Sequence, residues 1–146
     1  MPQRRLGDIV RNQNLLHVHP ETTVHAAAVQ MTDRHVAAVL VLDDGALKGI
    51  FTERDLLQRV VAPGLDPDST PIGQVMTPDP LSIDAGALGF EAVRLMREEG
   101  IRHMVVTGMP DSGFGYAIVS QRDFMGAEMA DFERELEFEN RLWEEI

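Results

Sequence analysis

The 146-residue chain contains no cysteine. This absence excludes disulfide scaffolds, thiol catalysis, cysteine-ligated zinc and iron–sulfur clusters. Long apolar runs are also missing: the longest, Val36 to Leu42, has seven residues, whereas a membrane-spanning helix needs about 20. The first residues include no apolar segment of the kind that a signal peptide requires. We therefore expect a cytoplasmic protein that has no membrane partner.

Positive charge is scarce in this chain. It carries 13 lysine and arginine side chains against 24 aspartate and glutamate side chains, which gives a formal net charge of −11. Nucleic-acid-binding proteins usually present a basic surface, so we expect no nucleic-acid partner. Residues 126–146 alone hold two basic and eight acidic side chains. The rest of the chain is closer to neutral and has room for a local basic pocket.

Recognisable catalytic sequences are absent as well. The chain has no Walker loop, no Gly-x-Gly-x-x-Gly sequence after a predicted strand and no Gly-x-Ser-x-Gly elbow. Apolar residues make up 44% of the chain and aromatic residues 5%, which is ordinary for a protein of mixed α and β structure. We therefore expect no enzyme and no catalytic residue.

The two halves of the chain repeat each other. Three pairs of segments align in the same order, namely residues 7–10 with 73–76, 36–41 with 101–106, and 49–56 with 117–124. The offset between partners is 66, 65 and then 68 residues. An internal repeat of this length predicts two similar structural units that cover each other's apolar faces.

The sequence pattern of each repeat predicts the same order of elements: strand, helix, strand, turn, strand, helix. In the first repeat the predicted segments are a strand over 15–18, a helix capped by Thr22 or Thr23, a hairpin over 38–52 and a helix over 53–61. The second repeat copies this order, with Gly100 as the predicted end of its first helix. Ala87 stands where a capping threonine is expected, so that helix should start less firmly.

The predicted fold class is therefore α/β (α+β), with two pseudo-symmetric repeats that each contain a small sheet and two helices, followed by a C-terminal helix. Proline and glycine mark a linker between the repeats. The predicted boundaries are repeat 1 over 1–62, the linker over 63–71, repeat 2 over 72–126 and an acidic amphipathic helical tail over 127–146.

A hydroxyl and a carboxylate recur where a strand passes into a helix. Thr52 ends a predicted strand and Asp55 lies in the first turn of the next helix. A carboxylate that accepts two hydrogen bonds suits the vicinal hydroxyls of a ribose. Arg54 can offer two N–H groups to phosphate oxygens. Residues 120–123 repeat the arrangement. In the alternative interpretation the hydroxyls are simple helix caps and the aspartates only complement the helix dipole.

Four segments together have a familiar form: residues 49–56 (GIFTERDL), 117–124 (AIVSQRDF), 75–78 (VMTP) and 100–106 (GIRHMVV). With these segments, over about residues 6–126, the chain resembles a tandem pair of CBS (cystathionine-β-synthase-type) domains, also known as a Bateman module. The resemblance implies a regulatory module that binds AMP, ADP or ATP, or else S-adenosylmethionine or NAD. It also implies a homodimer that passes a conformational change to a partner protein.

The resemblance further implies two ligand clefts, each built from both repeats. The first would be lined by Ile50, Thr52, Arg54, Asp55, Thr70, Val75, Met76, Thr77, Arg102, His103 and Met104. The second would be lined by Ile118, Ser120, Arg122, Asp123, Arg5, Ile9, Val10, Ala37 and Ala38. We expect the first cleft to bind more strongly, because the second lacks the Met-Thr and Arg-His pairs. In the alternative interpretation Arg5 or Arg11 compensates for these missing pairs. Alternatively, Arg102 is a solvated residue that pairs with Glu98 or Glu99.

Two other functions remain open on the sequence alone. One is a dimerisation or scaffold module that needs no ligand. The other is a metal-responsive module that uses His17 and His19, which alternate along a strand and share a face.

We expect the tail from Gly126 to Ile146 to extend the last helix of the second repeat. It carries apolar residues at helical spacing: Met129, Phe132, Leu136, Phe138, Leu142, Trp143 and Ile146. An isolated helix of this kind exposes an apolar face. We expect the tail to pack on a neighbouring subunit or on a protein partner, and the alternative is that it folds back onto its own chain.

Overall fold

A computed structural model describes residues 4–109, 113–124 and 126–144. In chain order its elements are α1 (Leu6–Ile9), β1 (His17–Val18), α2 (Val24–Asp33), β2 (Ala38–Asp43), β3 (Ala46–Thr52), α3 (Glu53–Asp55), a π-helical stretch (Leu56–Val61), a 3₁₀ turn (Ile72–Gln74), β4 (Thr77–Pro78), β5 (Ser82–Asp84), α4 (Gly89–Glu99), β6 (His103–Thr107), β7 (Tyr116–Ser120), a 3₁₀ turn (Gln121–Asp123) and α5 (Gly126–Glu144). The mixed α and β fold class and the C-terminal helix are as predicted.

The chain divides into two compact units. Residues 14–80 form the middle unit, and residues 1–13 together with 81–146 form the end unit. Each unit therefore combines most of one sequence repeat with the opening segment of the other.

The middle unit contains a four-stranded sheet in the order β1-β2-β3-β4. β1 runs parallel to β2, and the other neighbours are antiparallel. The β2–β3 hairpin turns at Asp44 and Gly45, whose φ angles are 50° and 77°. Two positive φ angles in succession suit the right-handed twist of the flanking strands, which explains the Asp-Gly pair at this turn.

The core of the middle unit is formed between α2 and the sheet. Thr23 caps α2, since its side chain accepts a hydrogen bond from the Ala26 N–H at 3.1 Å. Val24 and Ala27 on α2 and Phe51 on β3 are fully buried in one apolar cluster. Complete burial of a side chain such as Phe51 stabilises the fold by about 1.5–3 kcal/mol.

The end unit contains a three-stranded sheet, β5-β6-β7, in which β5 runs parallel to β6 and β7 is antiparallel to β6. α4 ends at Gly100 in the left-handed conformation, with φ 67°, as predicted. Its start differs from the prediction. The N-cap is Leu88, whose N–H donates to Glu91 Oε2 at 2.8 Å. The glutamate therefore satisfies one of the free N–H groups at this end and partly replaces the missing hydroxyl.

The N-terminal segment is part of the end unit. The N–H groups of Leu6 and Gly7 donate to the carbonyls of Ala87 and Ala85, both at 2.9 Å. Leu6 is fully buried and Val10 is 3% exposed, and both belong to the apolar cluster of this unit. The two backbone hydrogen bonds and the burial of Leu6 and Val10 together hold the N-terminal segment beside α4.

α5 is a separate helix and does not continue the preceding one. After the Gln121–Asp123 turn, Phe124 is extended, with φ −93° and ψ 135°, and α5 begins at Gly126. Phe132 is 2% exposed, and the Arg97 guanidinium lies 5.5 Å from its ring centre. This part of the tail therefore packs on its own unit, contrary to our expectation for Phe132.

Beyond Phe132 every described residue of α5 is exposed. The Met129 side chain and Ile146, which belong to the predicted apolar face, lie outside the described part of the structure. No helix among the described residues combines the length and the apolarity needed to cross a bilayer.

Candidate functional site

In the middle unit, Thr52 and Asp55 bond to each other where β3 passes into α3. Thr52 Oγ1 accepts from the Asp55 N–H at 3.3 Å, and Asp55 Oδ2 accepts from the Thr52 N–H at 3.0 Å. This reciprocal arrangement is a capping box, in which two side chains satisfy free backbone N–H groups of a helix start. The capping role offered by the alternative interpretation is therefore present, and it fixes one carboxylate oxygen.

The second oxygen of the Asp55 carboxylate is held less tightly. Asp55 Oδ1 lies 3.3 Å from Thr77 Oγ1 and 3.5 Å from Arg59 Nε. Both distances exceed the usual lengths of an O–H···O bond and of a charged N–H···O bond. The carboxylate is 13% exposed. Asp55 therefore presents one fixed oxygen and one oxygen that is able to accept a further hydrogen bond.

Gly49 brings the Met76–Thr77 segment against β3. β3 and β4 pair in the register Gly49 with Pro78 and Ile50 with Thr77. A Cβ atom at position 49 would lie 2.6 Å from both Met76 Sδ and the Thr77 carbonyl oxygen. Only glycine allows this approach, so the glycine of the GIFTERDL segment positions Thr77 beside the carboxylate.

Arg59 was not among the residues predicted from the sequence. Its Nη1 donates to the Met76 carbonyl at 2.8 Å, while its Nε faces Asp55. The available signal was an arginine four residues after an aspartate, a spacing that places the two side chains together on a helix. Arg59 therefore joins two segments, each of which contributes predicted ligand residues.

The remaining middle-unit residues that were predicted to contact a ligand differ in their exposure and in their hydrogen bonds. Arg54 is exposed. Thr70 is buried and its hydroxyl donates to the Asp66 carbonyl at 2.7 Å. Ile50 and Val75 are buried, and Val75 lies in the apolar core. Thr70 and Val75 thus have structural partners within the unit, and their contact with a ligand stays a prediction.

The end unit repeats the capping arrangement in a tighter turn. The Ser120 N–H donates to Asp123 Oδ2 at 2.7 Å, and Ser120 Oγ accepts from the Arg122 N–H at 3.3 Å. Ile118 is bonded through its backbone N–H and C=O to the side-chain amide of Gln13, at 2.8 and 2.7 Å. The related sequences 49–56 and 117–124 therefore form different turns: the first continues into a π-helical stretch and the second stops after three residues.

Arg4 and Glu128, two residues absent from our predictions, lie beside the end-unit turn. Arg4 forms an ion pair with Glu128 through Nε, and its Nη2 lies 3.4 Å from the Asp123 carbonyl oxygen. The pKa of Arg4 is raised above its ordinary value, mainly by the hydrogen bond to Glu128 and also by the charges of Glu128 and Asp123, although burial lowers it. The pair therefore holds the start of α5 beside Asp123.

The other predicted residues of the second cleft have structural roles of their own. Arg5 is exposed and donates to the Gly86 carbonyl at 2.9 Å. Ile9 packs against the apolar cluster that contains Val10. In the middle unit, Ala37 accepts from the Glu53 N–H at 3.0 Å and Ala38 is paired with Thr52.

The predicted Arg102–Met104 segment belongs to the end unit. The Arg102 carbonyl accepts from the Gln121 N–H at 3.2 Å, and His103 is paired with Ser120 across β6 and β7. Met104 is buried. Within the described ranges, Arg102 forms no ion pair with Glu98 or Glu99, and its side chain is exposed.

Histidines of the middle unit lie next to single aspartates. His19 Nε2 is 3.3 Å from Asp43 Oδ1, and His25 Nδ1 is 3.1 Å from Asp68 Oδ1. Among the residues that the structure describes, no group of three or more histidine, cysteine, aspartate or glutamate side chains is placed to hold a metal ion. The described histidine–aspartate pairs therefore do not supply a complete ligand set for zinc.

The chain belongs to the CBS domain family, since the model of this domain matches residues 6–62 and 72–130. CBS pairs are regulatory modules. The meiotically up-regulated gene 70 protein of Schizosaccharomyces pombe is 48% identical to this chain over 98 residues, which cover 67% of this chain and 13% of the yeast protein. The matched region is less than a fifth of the length of the first curated relatives.

Solved structures share the fold over most of both chains. A CBS domain protein from Pyrobaculum aerophilum in complex with AMP has a TM-score of 0.76 at 21% identity, covering 90% of this chain and 99% of that one. Hypoxic Response Protein I, solved with two coordinated zinc ions, has a TM-score of 0.67 at 29% identity, covering 82% and 95%.

Proposed function

We propose that this chain is a regulatory module that binds an adenine nucleotide and signals to a partner protein. The observation that supports the proposal is the Asp55 carboxylate in the middle unit. One of its oxygens is fixed by the Thr52 N–H, and the other has two longer contacts, to Thr77 and Arg59. A ribose with two adjacent hydroxyls can donate to such a carboxylate.

The polar groups around the carboxylate fit a phosphorylated adenosine. Arg54 is exposed at the start of α3 and carries N–H groups suited to phosphate oxygens. The AMP complex of the Pyrobaculum aerophilum protein supports an adenosine ligand for a chain of this fold. We keep AMP, ADP and ATP as the first candidates, with S-adenosylmethionine and NAD as further ligands that contain the same adenosine.

We infer that the middle-unit residues predicted for the first cleft give the stronger site. In the middle unit, the Thr77 hydroxyl and the Arg59 guanidinium both face the carboxylate. The residue aligned with Thr77 in the other repeat is Arg11, and Ala127 follows Asp123 by four residues. The sequence around Asp123 therefore has no counterpart of the Thr77 hydroxyl or of the Arg59 guanidinium.

The proposed output of the module is the docking of α5. The ion pair of Arg4 and the buried Glu128 anchors the start of this helix, and the exposed residues after Phe132 carry most of its acidic charge. A ligand changes such docking only by binding one arrangement more tightly than the other. We propose that nucleotide binding alters the protection of the α5 amide groups from hydrogen exchange. It thereby alters the access of a partner protein to this helix.

The proposal includes a homodimer. Leu57 and Val61, four residues apart on the π-helical stretch, are 60% and 61% exposed. Contiguous exposed apolar patches mark protein interaction sites, and we propose that Leu57 and Val61 belong to such a patch between two copies of this chain. A ligand-independent scaffold is the second candidate, because the exposed part of α5 can serve partner binding without any nucleotide.

A thermal-shift panel tests the ligand proposal. Purified protein is heated with AMP, ADP, ATP, S-adenosylmethionine, NAD or 2′-deoxy-AMP. A ligand at 100 times its Kd stabilises the fold by about 2.7 kcal/mol, so a shift of several degrees is expected for at least one adenine nucleotide. 2′-Deoxy-AMP should bind more weakly than AMP, since one donor to Asp55 is missing. No shift with any compound favours the scaffold, and equal shifts with AMP and its deoxy analogue contradict the role of the ribose.

A further inference from the structure

Arg59 connects the Asp55 carboxylate to the Met76–Thr77 segment. The guanidinium is anchored by Nη1 to the Met76 carbonyl at 2.8 Å, and Nε faces Asp55 Oδ1 at 3.5 Å. Its side chain is 45% exposed, whereas that of Asp55 is 13% exposed. The firm bond is thus to the backbone and the looser contact is to the carboxylate. Such a cation restrains the carboxylate and leaves it free to accept from another donor.

The local helix geometry places Arg59 in this position. Arg59 lies within the π-helical stretch Leu56–Val61, where the Ala62 N–H donates to the Leu57 carbonyl, five residues back. A residue four positions on lies on the same side of such a turn, as it does in an α-helix, so the Asp55 and Arg59 side chains are neighbours. π-Helical turns inside helices occur frequently at functional sites. In the end unit, Asp123 lies in a 3₁₀ turn, and among the residues that the structure describes no π-helical stretch follows it before α5.

We propose that Arg59 is a positioning residue of the adenine-nucleotide site, an inference that rests on the proposed function. Arg59 holds the Asp55 carboxylate at a fixed distance from the Met76–Thr77 segment, and it acts on the ligand through Asp55. It therefore contributes to the recognition of the ribose and makes no contact with phosphate.

This role has a consequence that a phosphate contact does not share. Adenosine and AMP carry the same ribose, so loss of a group that positions Asp55 weakens both by the same factor. Loss of a group that binds phosphate weakens AMP and leaves adenosine unchanged. The ratio of the two affinities therefore separates the two roles.

The experiment measures the Kd of adenosine and of AMP by isothermal titration calorimetry. The proteins are the wild type, Arg59→Gln, Arg59→Lys, Asp55→Asn and the double variant Asp55→Asn/Arg59→Gln. Arg34→Gln is the matched control, because Arg34 is an exposed arginine of the same unit at the end of α2. Circular dichroism of each variant shows whether it is folded.

We expect Arg59→Gln to raise the Kd of adenosine and of AMP about tenfold and by equal factors. This is the typical effect of losing one charged hydrogen-bonded contact. Arg59→Lys should recover part of the loss, since an ammonium keeps the charge but cannot bridge two acceptors in a fixed plane. In the Asp55→Asn background, Arg59→Gln should raise the Kd by less than a further factor of about two, because the effects of residues that act through one another are not additive.

Three results overturn the proposal: an unchanged Kd in Arg59→Gln, a loss confined to AMP, or the same loss in the Asp55→Asn background. The last result means that Arg59 acts on the fold in general. Failure of the wild type to bind either ligand is a different outcome, since it overturns the proposed function and this inference with it. Binding by the wild type with no response to Arg59→Gln overturns the inference alone.

Discussion

Arg4 forms an ion pair with Glu128, a residue 124 positions further along the chain whose carboxylate is almost completely buried. The same guanidinium lies 3.4 Å from the Asp123 carbonyl oxygen. A glycine at position 89 makes room for the glutamate, since a Cβ there would lie 2.8 Å from Glu128 Cγ. These contacts fix the start of α5 to the N-terminal segment and to the turn that carries Asp123.

Arg4→Gln should destabilise the protein by about 1–3 kcal/mol, because a buried carboxylate then loses its charged partner. The free energy of unfolding from urea titrations gives the measurement. Arg5→Gln is the control, since Arg5 is exposed and donates only to a backbone carbonyl. If Arg4→Gln lowers the free energy of unfolding by less than about 0.5 kcal/mol, or if Arg5→Gln lowers it equally, the Arg4–Glu128 ion pair does not stabilise the fold as proposed.

The contribution of Arg4 should not vary between about pH 7 and pH 10. The pKa of Arg4 in the folded protein is raised above the ordinary value of an arginine, so its contribution is complete at any pH below that ordinary value and is lost only as the pH rises through the raised pKa. Urea titrations of wild type and Arg4→Gln at several pH values measure the difference. A difference that falls steadily over this range contradicts the assignment of the effect to the arginine charge.

Gly49→Ala should destabilise the middle unit by about 1–3 kcal/mol and weaken nucleotide binding. The new methyl group meets the Thr77 backbone at 2.6 Å, so β4 must shift. Gly113→Ala is the control, because nothing lies within 4 Å of its added Cβ. Thermal unfolding and calorimetric titration measure the two effects. Unchanged affinity in Gly49→Ala means that Thr77 does not belong to the site.

Removal of residues 133–146 should leave the thermal stability and the nucleotide affinity within error of the wild type, since the described residues after Phe132 are exposed. Phe132→Ala should instead cost about 3–5 kcal/mol, because that side chain is 2% exposed. The pair of variants separates the anchored part of α5 from its exposed part. A large loss of stability on truncation indicates that the exposed part packs against something in solution.

Leu57→Glu should convert the proposed homodimer to a monomer, since a charge replaces an exposed aliphatic side chain at the proposed interface. Sedimentation velocity measures the molecular mass. Val29→Glu is the control, a comparable exposed aliphatic residue on α2. A monomeric wild type contradicts the dimer, and an unaffected dimer in Leu57→Glu places its interface elsewhere.

Local chemistry explains which parts were predictable from the sequence. The Thr52–Asp55 capping box and the left-handed Gly100 depend on residues close in the chain, so spacing alone indicates them. Arg59 was visible in principle as an arginine four residues after an aspartate, but the π-helical stretch that orients it leaves no comparable signal.

Contacts between distant segments were not predictable. The Arg4–Glu128 pair joins residues from opposite ends of the chain, and neither has a distinctive sequence context. The break at Phe124 was also missed, because the sequence around Asp123 resembles that around Asp55 although the backbone becomes extended after it. α5 packs on α4, and a single sequence does not encode such a contact between distant segments in a readable pattern.

Calorimetric titration of AMP, ADP and ATP into wild type, Asp55→Asn and Asp123→Asn tests most directly whether the Asp55 carboxylate binds an adenine nucleotide. Asparagine keeps the size of aspartate and removes the charge, and the two variants change equivalent positions of the repeat. We expect at least one nucleotide to bind the wild type, Asp55→Asn to weaken its binding about tenfold or more, and Asp123→Asn to have a smaller effect. Absence of binding to the wild type, or a greater loss in Asp123→Asn than in Asp55→Asn, contradicts this expectation.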